Sequence, residues 1–262
     1  MRMIVLGLLC GLALLSAGVV LHAHGGYAIQ DRDSISTGTS AMHWTGTDDL
    51  GRDRTVRVAA ALLLGLAGAL LASALATTIA VGVGVTAAFA PEGIASLLMY
   101  ASDLFLTLPW LFLLMMVRSS LPLTMPPLQS AGVTFLLLAL LGWPAYVRVS
   151  YAGARNVRNA EWMLQGRASG LRTSQLATRH LLPHLRPLLL SQFLVCIPAC
   201  LVAEANLGTL GLGISEPLPS WGSMLLSLQN SAVLASSHWV YLPIVLLVIV
   251  LLLLELLVFE VS

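Results

Sequence analysis

The chain has 262 residues, of which 58% are hydrophobic and only 10% charged, with a mean hydropathy of +0.89 and a formal net charge of +1. A water-soluble domain uses about 25% charged residues, so this composition excludes a soluble globule and points to a bilayer as solvent. The near-zero net charge leaves no electrostatic footprint for nucleic acid, and all thirteen basic residues are arginine, which excludes a lysine-bearing phosphate loop.

Six apolar stretches follow along the chain: Met3–Leu21, Val58–Phe89, Ala95–Val117, Ala131–Val149, Leu188–Ala203 and Trp239–Phe259. Each approaches or exceeds the roughly 18 residues of a spanning segment. A backbone in hydrocarbon must satisfy its own polar groups, and no period-2 alternation suggests a barrel, so the expectation is an all-α membrane protein with about six transmembrane helices. Met3–Leu21 reads as a retained first helix rather than a cleaved leader, because it is long enough to span. The organisation expected is a first helix in residues 1–24, an external loop in 25–57, and a core of five helices in 58–262 with a cytoplasmic loop at 150–187.

Seven of the thirteen arginines lie between Arg148 and Arg186, so the positive-inside rule places that segment, and with it both termini, in the cytoplasm. Arg52, Arg54 and Arg57 then fall on the outer side, against the rule, interleaved with Asp48, Asp49 and Asp53. Within the basic segment, Asn159 reads as an N-cap, with Glu161 in the first turn where a carboxylate suits the helix dipole. Trp162, Met163 and Leu164 give a short apolar surface, Gly166 and Gly170 break it, and Thr173 or Ser174 restarts a helix through His180 that Pro183 ends. Two readings stand side by side: an amphipathic connector on the membrane surface, or a helix presented to a partner's groove.

Among single residues, Asp103 reads as a capping carboxylate at the cytoplasmic edge of its span, with a pathway or helix-pairing role as the other reading. Glu204 either lines a path or anchors a turn. Glu255 sits inside the last apolar run, where pairing with another subunit is one reading. Gly208, Gly211 and Gly213 permit tight turns, and 205–222 reads as non-helical backbone at an outer face capped by Trp221. Cys196 and Cys200, four apart, share a helix face; packing is the first reading and a disulfide or metal pair the second. His180 and His184 are also four apart, but Pro183 between them argues against a metal pair. No catalytic constellation, cofactor site or metal site is expected.

Four blocks resemble the transmembrane permease subunits of binding-protein-dependent ABC importers, in the dipeptide, oligopeptide and nickel branch. Glu161-Trp162-Met163-Leu164-Gln165-Gly166-Arg167-Ala168-Ser169-Gly170, continued by Arg179-His180-Leu181-Leu182-Pro183, is similar to the EAA loop, although Trp162, Met163 and Gly166 depart from its usual residues. His43 to Asp53, with Gly46, Thr47, Asp48, Gly51, Arg52 and Asp53, resembles the Gly-Thr-Asp-x-x-Gly-Arg-Asp element before the second span. Asp103 through Pro109 resembles the start of the third span. Glu204 to Gly213, followed by Pro219-Ser220-Trp221-Gly222, resembles the run after the fifth. The tail that the branch often carries after its last span is not matched by Leu253–Ser262.

The resemblance implies a type I importer (MetI-like) permease fold in a bacterial inner membrane. It implies a coupling helix that docks on an ATPase subunit through Asn159, Glu161, Trp162, Gly166, Gly170, His180 and Pro183. Pathway or structural roles fall to Asp103, Pro109, Glu204, Gly211, Gly213, Trp221 and Gly222. The implied partners are a second permease, two cytoplasmic ATPases carrying all ATP hydrolysis, and an external solute-binding protein; the implied cargo is peptides or related small solutes, nickel chelates included. A stand-alone secondary transporter, or a divergent scaffold that no longer transports, is the alternative.

Overall fold

The computed structural model describes residues 2–23, 26–122, 125–229 and 238–260, and these form helices joined by loops. The boundary expected at 24/25 and residues 230–237 of the outer loop lie outside them. In chain order the helices are α1 (Arg2–His22), α2 (Arg54–Phe89), α3 (Glu92–Thr107), α4 (Trp110–Ser119), α5 (Pro127–Gly142), α6 (Pro144–Arg158), α7 (Glu161–Ala168), α8 (Thr173–Leu176), α9 (Leu182–Thr209), α10 (Trp221–Ser227) and α11 (Leu242–Phe259). A π-helical turn, Ala177–Leu181, joins α8 to α9.

Four of the described helical segments are long and apolar enough to cross a membrane, or six if each of two bent pairs counts as one span. The bends correct two spans expected to be straight. Ala95–Val117 is α3 and α4 at 77°, and Ala131–Val149 is α5 and α6 at 46°. Proline is the cause at both: Pro109 precedes α4 and Pro144 opens α6, and neither offers the N–H that a continuous helix needs. The fifth span is longer than Leu188–Ala203, because the helix restarting at Thr173 does not stop before Pro183. Pro183 sits in the first turn of α9, where its missing N–H costs nothing, and the apolar run extends over Ala177–Thr209.

α2 is the axis of the bundle. It packs against α1, α3, α5, α6 and α9, and its buried face is a row of small residues that includes Ala61, Gly65, Gly68, Ala69, Ala72, Ala76, Ala80 and Gly84. Apolar lipid offers little hydrophobic drive between helices, so close backbone approach and dispersion hold them together. Gly68 shows how close: a Cβ there would lie 2.1 Å from the Phe135 ring of α5. At about 1.5 Å per residue, the 36 residues of α2 reach roughly 54 Å, beyond the ~30 Å of hydrocarbon. Its two ends therefore stand in polar surroundings, and each organises a cluster of polar groups.

Candidate functional site: two polar ends of one bundle

At the N-terminal end of α2, expected to lie outside, the Gly46–Asp53 element folds into a compact cap. Gly46 and Gly51 hold φ of +77° and +76°, and a side chain at Gly51 would collide with the Asp31 carbonyl. Thr47, fully buried, accepts from Thr37 N–H at 3.0 Å and donates to the Ser34 carbonyl. Asp48 accepts from the backbone N–H groups of Leu50 (3.0 Å) and Arg52 (2.8 Å) and from Arg52 Nε at 2.7 Å. Asp53 is the N-cap of α2, accepting from Thr55 and Val56 N–H, and its second oxygen meets His43 Nδ1 at 2.9 Å.

This cap is clasped to a distant loop by Glu216, a residue that sequence reasoning passed over. Arg52 Nη1 donates to Glu216 Oε2 at 2.7 Å and Arg57 Nη2 to Oε1 at 2.9 Å, while Arg57 Nη1 reaches the Pro217 carbonyl at 3.3 Å. Burial alone would lower the pKa of Arg52, but its bonds to Asp48 and Glu216 and their two charges outweigh that and raise it. Two of the three arginines expected on the outer side are thus paired: Arg52 and Arg57 share two carboxylates, one local and one 159 or more residues away in sequence. Glu216 is the sole charged residue between 208 and 237, and that isolation was the available signal. Glu216→Gln leaves two buried guanidinium groups with Asp48 as their one carboxylate. A hydrogen bond to a charged group contributes about 1.5–3 kcal/mol, and because Glu216 is itself half exposed, the lower half of that range is expected in detergent unfolding curves. No change in midpoint would show that the clasp is ornamental.

Next to the clasp, the Glu204–Gly222 run forms a tight knot. The structure corrects the expectation of non-helical backbone from 205 onward: α9 continues to Thr209. It ends in a Schellman turn, with Leu212 N–H on the Leu207 carbonyl at 3.0 Å and Gly211 at φ +75°. Glu204 is fully buried and accepts from Gly222 N–H at 3.4 Å, so it anchors the turn. Trp221, expected to cap this run, is fully buried instead, with its indole against Gly65 of α2. Gly208, Gly213 and Gly222 stack backbone on backbone. Arg118, also missed from sequence, is fully buried and ties α4 to this knot, donating to Ser130 Oγ at 2.7 Å and to the Gly213 carbonyl at 3.0 Å.

Asp103 is not a capping carboxylate. It receives both Nε and Nη2 of Arg148, at 2.7 and 2.6 Å, and so joins α3 to α6. A charge exchange tests this: Asp103→Arg and Arg148→Asp singly are expected to lower the yield of folded protein, and the double variant to restore it. Recovery absent from the double variant would assign the loss to something other than the pair.

At the C-terminal end of α2, α6 finishes at Arg158, whose guanidinium donates to the Ala88 carbonyl and lies 5.9 Å from the Phe89 ring centroid. Asn159 corrects the sequence reading: it is the C-cap of α6, and Ala160 stands before α7, accepting from Met163 and Leu164 N–H. Glu161 does open the first turn. Gly166 does not break α7. It lies inside the helix, where a Cβ would come within 2.8 Å of Leu176 Cδ2. Gly170 ends the helix as expected, with φ +82° and Leu171 N–H on the Gly166 carbonyl at 3.2 Å. Met163, fully buried, plugs α7 into a cluster with Ala88, Ala154, Leu176, Leu181 and Leu185. Trp162 and Leu164 stay 40% and 52% exposed on the same short helix. His180 and His184 flank the Trp162 ring at centroid distances of 6.4 and 5.3 Å.

These features define a polytopic helical membrane protein with a structured cap at one end of α2 and a short helix projecting from its basic loop at the other. Residues 80–261 match the family described as "Binding-protein-dependent transport system inner membrane component", and the chain belongs to that family. Similar proteins include a provisionally named peptide permease protein of Brucella suis, 29% identical over 214 residues (81% of this chain, 68% of that protein). The dipeptide transport system permease protein DppC of Bacillus subtilis is 29% identical over 200 residues (76% and 60%). The di/tripeptide transport system permease protein DppC of Pseudomonas aeruginosa is 31% identical over 193 residues (74% and 62%). The chain thus spans about two thirds of the length of these relatives or somewhat less. The chain has the MetI-like permease fold expected from its sequence, and its resemblance to the dipeptide and oligopeptide branch holds.

Proposed function

We propose that this chain is one permease half of an ATP-driven importer for peptides or related small solutes, nickel chelates among them. It pairs with a second permease to enclose the path, and two cytoplasmic ATPases dock on α7 through the residues from Asn159 to Gly170, with His180 and Pro183 bracing the helix from behind. An external solute-binding protein delivers cargo to the outer cap and to the 210–222 knot. The chain lies in the inner membrane with both termini in the cytoplasm, and ATP hydrolysis belongs to the partners.

The observation that carries this reading is the split personality of α7. Met163 is sunk in the bundle while Trp162 and Leu164 face outward, so the helix is fixed to its own chain and still offers apolar surface to another. Arg158 on the end of α2 makes that long helix the element through which a push on α7 reaches the outer clasp, in keeping with rigid-body alternation.

The test is to express the chain with the products of its neighbouring genes, purify it by a tag, and ask whether ATPase subunits and a second permease come with it. A secondary transporter or a scaffold would come alone. Binding-protein-stimulated ATP hydrolysis in liposomes then reports coupling, and its absence from an otherwise complete complex would favour the scaffold.

A further inference from the structure

The two bent spans break at the same place. The α3–α4 bend at Pro109 and the α5–α6 bend at Pro144 border a chamber of about 210 Å³, walled by Phe105, Leu108, Trp110, Leu138, Leu141 and Tyr146. Cys196 and Cys200 of α9 also line it. Their sulfurs lie 3.8 Å apart, with Ser73 Oγ of α2 at 3.7 Å from Cys200 Sγ. Both are free thiols, and a disulfide bond of about 2.05 Å is not formed.

We propose that Cys196 and Cys200 form a two-sulfur site for a soft, divalent d10 cation of the mercury(II) type, reached through this chamber. Softness follows from the donors, since thiolates select soft ions over magnesium, calcium or manganese. Coordination number follows from the surroundings. Zinc asks for four ligands, and among the described residues no group of three or more His, Cys, Asp or Glu is placed to hold a metal. Only an ion content with two ligands fits. Charge follows from the apolar walls, because an unpaired charge buried there is costly. A divalent ion satisfies that condition: two thiols lose their protons to water, two S–metal bonds form, and the bis-thiolate product is neutral. At about 2.3 Å per metal–sulfur bond, a linear arrangement needs the sulfurs roughly 4.6 Å apart, a modest rotation about χ1 from their present separation. The two sulfurs are pre-placed one turn apart on α9, which runs on through Pro198 between them as it does through Pro183, so the intervening proline does not separate the pair and the second bond costs little extra ordering.

The assay uses the reduced full chain in detergent, mercury(II) chloride alone as the probe, and a maleimide to count remaining thiols. One equivalent should remove two of the three thiols and release two protons, and X-ray absorption should report two sulfur neighbours. Cys10→Ser, which removes the exposed thiol on α1, should bind as before. Cys196→Ser and Cys200→Ser should each weaken retention against a competing monothiol by about 100-fold, the loss of a chelate's second arm. Cys196→Ala, which keeps the packing apolar, guards against a folding artefact and should behave like the serine variant. One sulfur neighbour, loss of a single thiol per ion, or undiminished retention in the Cys196 and Cys200 variants would overturn the site. So would binding that disappears with Cys10.

Discussion

Alanine at Gly222 is expected to be among the most damaging single substitutions in this chain. A Cβ there would lie 2.3 Å from Gly208 Cα, 2.8 Å from Gly208 N and 3.0 Å from the Ala205 carbonyl oxygen. All three are backbone atoms, which cannot swing aside as a side chain can. Overpacking a core usually costs about 1–3 kcal/mol, and a collision between two main chains belongs at or above the top of that range. Gly208→Ala meets the same partner from the other side, at 2.2 Å from Gly222 Cα, and should be equally severe. Gly211→Ala is the internal control. Nothing crowds that position, but its φ of +75° costs a non-glycine residue about 1–2 kcal/mol. Unfolding midpoints in one detergent should therefore fall furthest for Gly222→Ala and Gly208→Ala, and less for Gly211→Ala. The reverse order would mean that the stacked glycines are loosely held. Because Gly213 and the Arg118 guanidinium sit on the same knot, the first two variants should also free the loop that carries Glu216.

The sequence made some of these features legible and hid others for reasons that are physical. Apolar run length pointed to all six stretches, since the bilayer imposes it, and four of them hold single candidate spans while two hold bent helix pairs. It could not locate the bends, because Pro109 and Pro144 lie inside the runs, and a proline can open a helix as readily as break one. Gly170 was readable because a positive φ after a helix favours glycine. Asn159 was misread because its type suits an N-cap, while only Ala160 separates it from the α7 start, so a residue that caps the end of α6 sits one place from where a cap of α7 would stand. The local half of the outer cap was visible in the spacing of Asp48, Arg52 and Asp53. Its distant half was not. Glu216, Arg118 and Arg148 act through partners 12 to 164 residues away, and a one-dimensional pattern carries no record of such pairing.

Leu164→Asp is expected to abolish coupling while sparing the fold. Leu164 is 52% exposed on α7, and a surface substitution away from special features usually changes stability by no more than about 0.5 kcal/mol. Placed in a partner's apolar groove, however, a carboxylate must be desolvated with nothing to pair with. A buried charge left without a partner costs about 3 kcal/mol or more. Copurified ATPase should therefore fall at least about tenfold, since each 1.4 kcal/mol is a factor of ten. Met163→Ala supplies the contrast one residue away. Met163 is fully buried, and emptying its socket costs about 2–5 kcal/mol, so this variant should lower the unfolding midpoint and loosen α7 from the bundle. Trp162→Ala lies between them, losing outward surface together with its contacts to His180 and His184. If α7 grips another subunit, Leu164→Asp is folded but alone, and Met163→Ala is unstable whether or not partners are present. Should Leu164→Asp bring down its full complement of ATPase and keep stimulated hydrolysis, α7 is a connector lying on the membrane, and the importer reading loses its support.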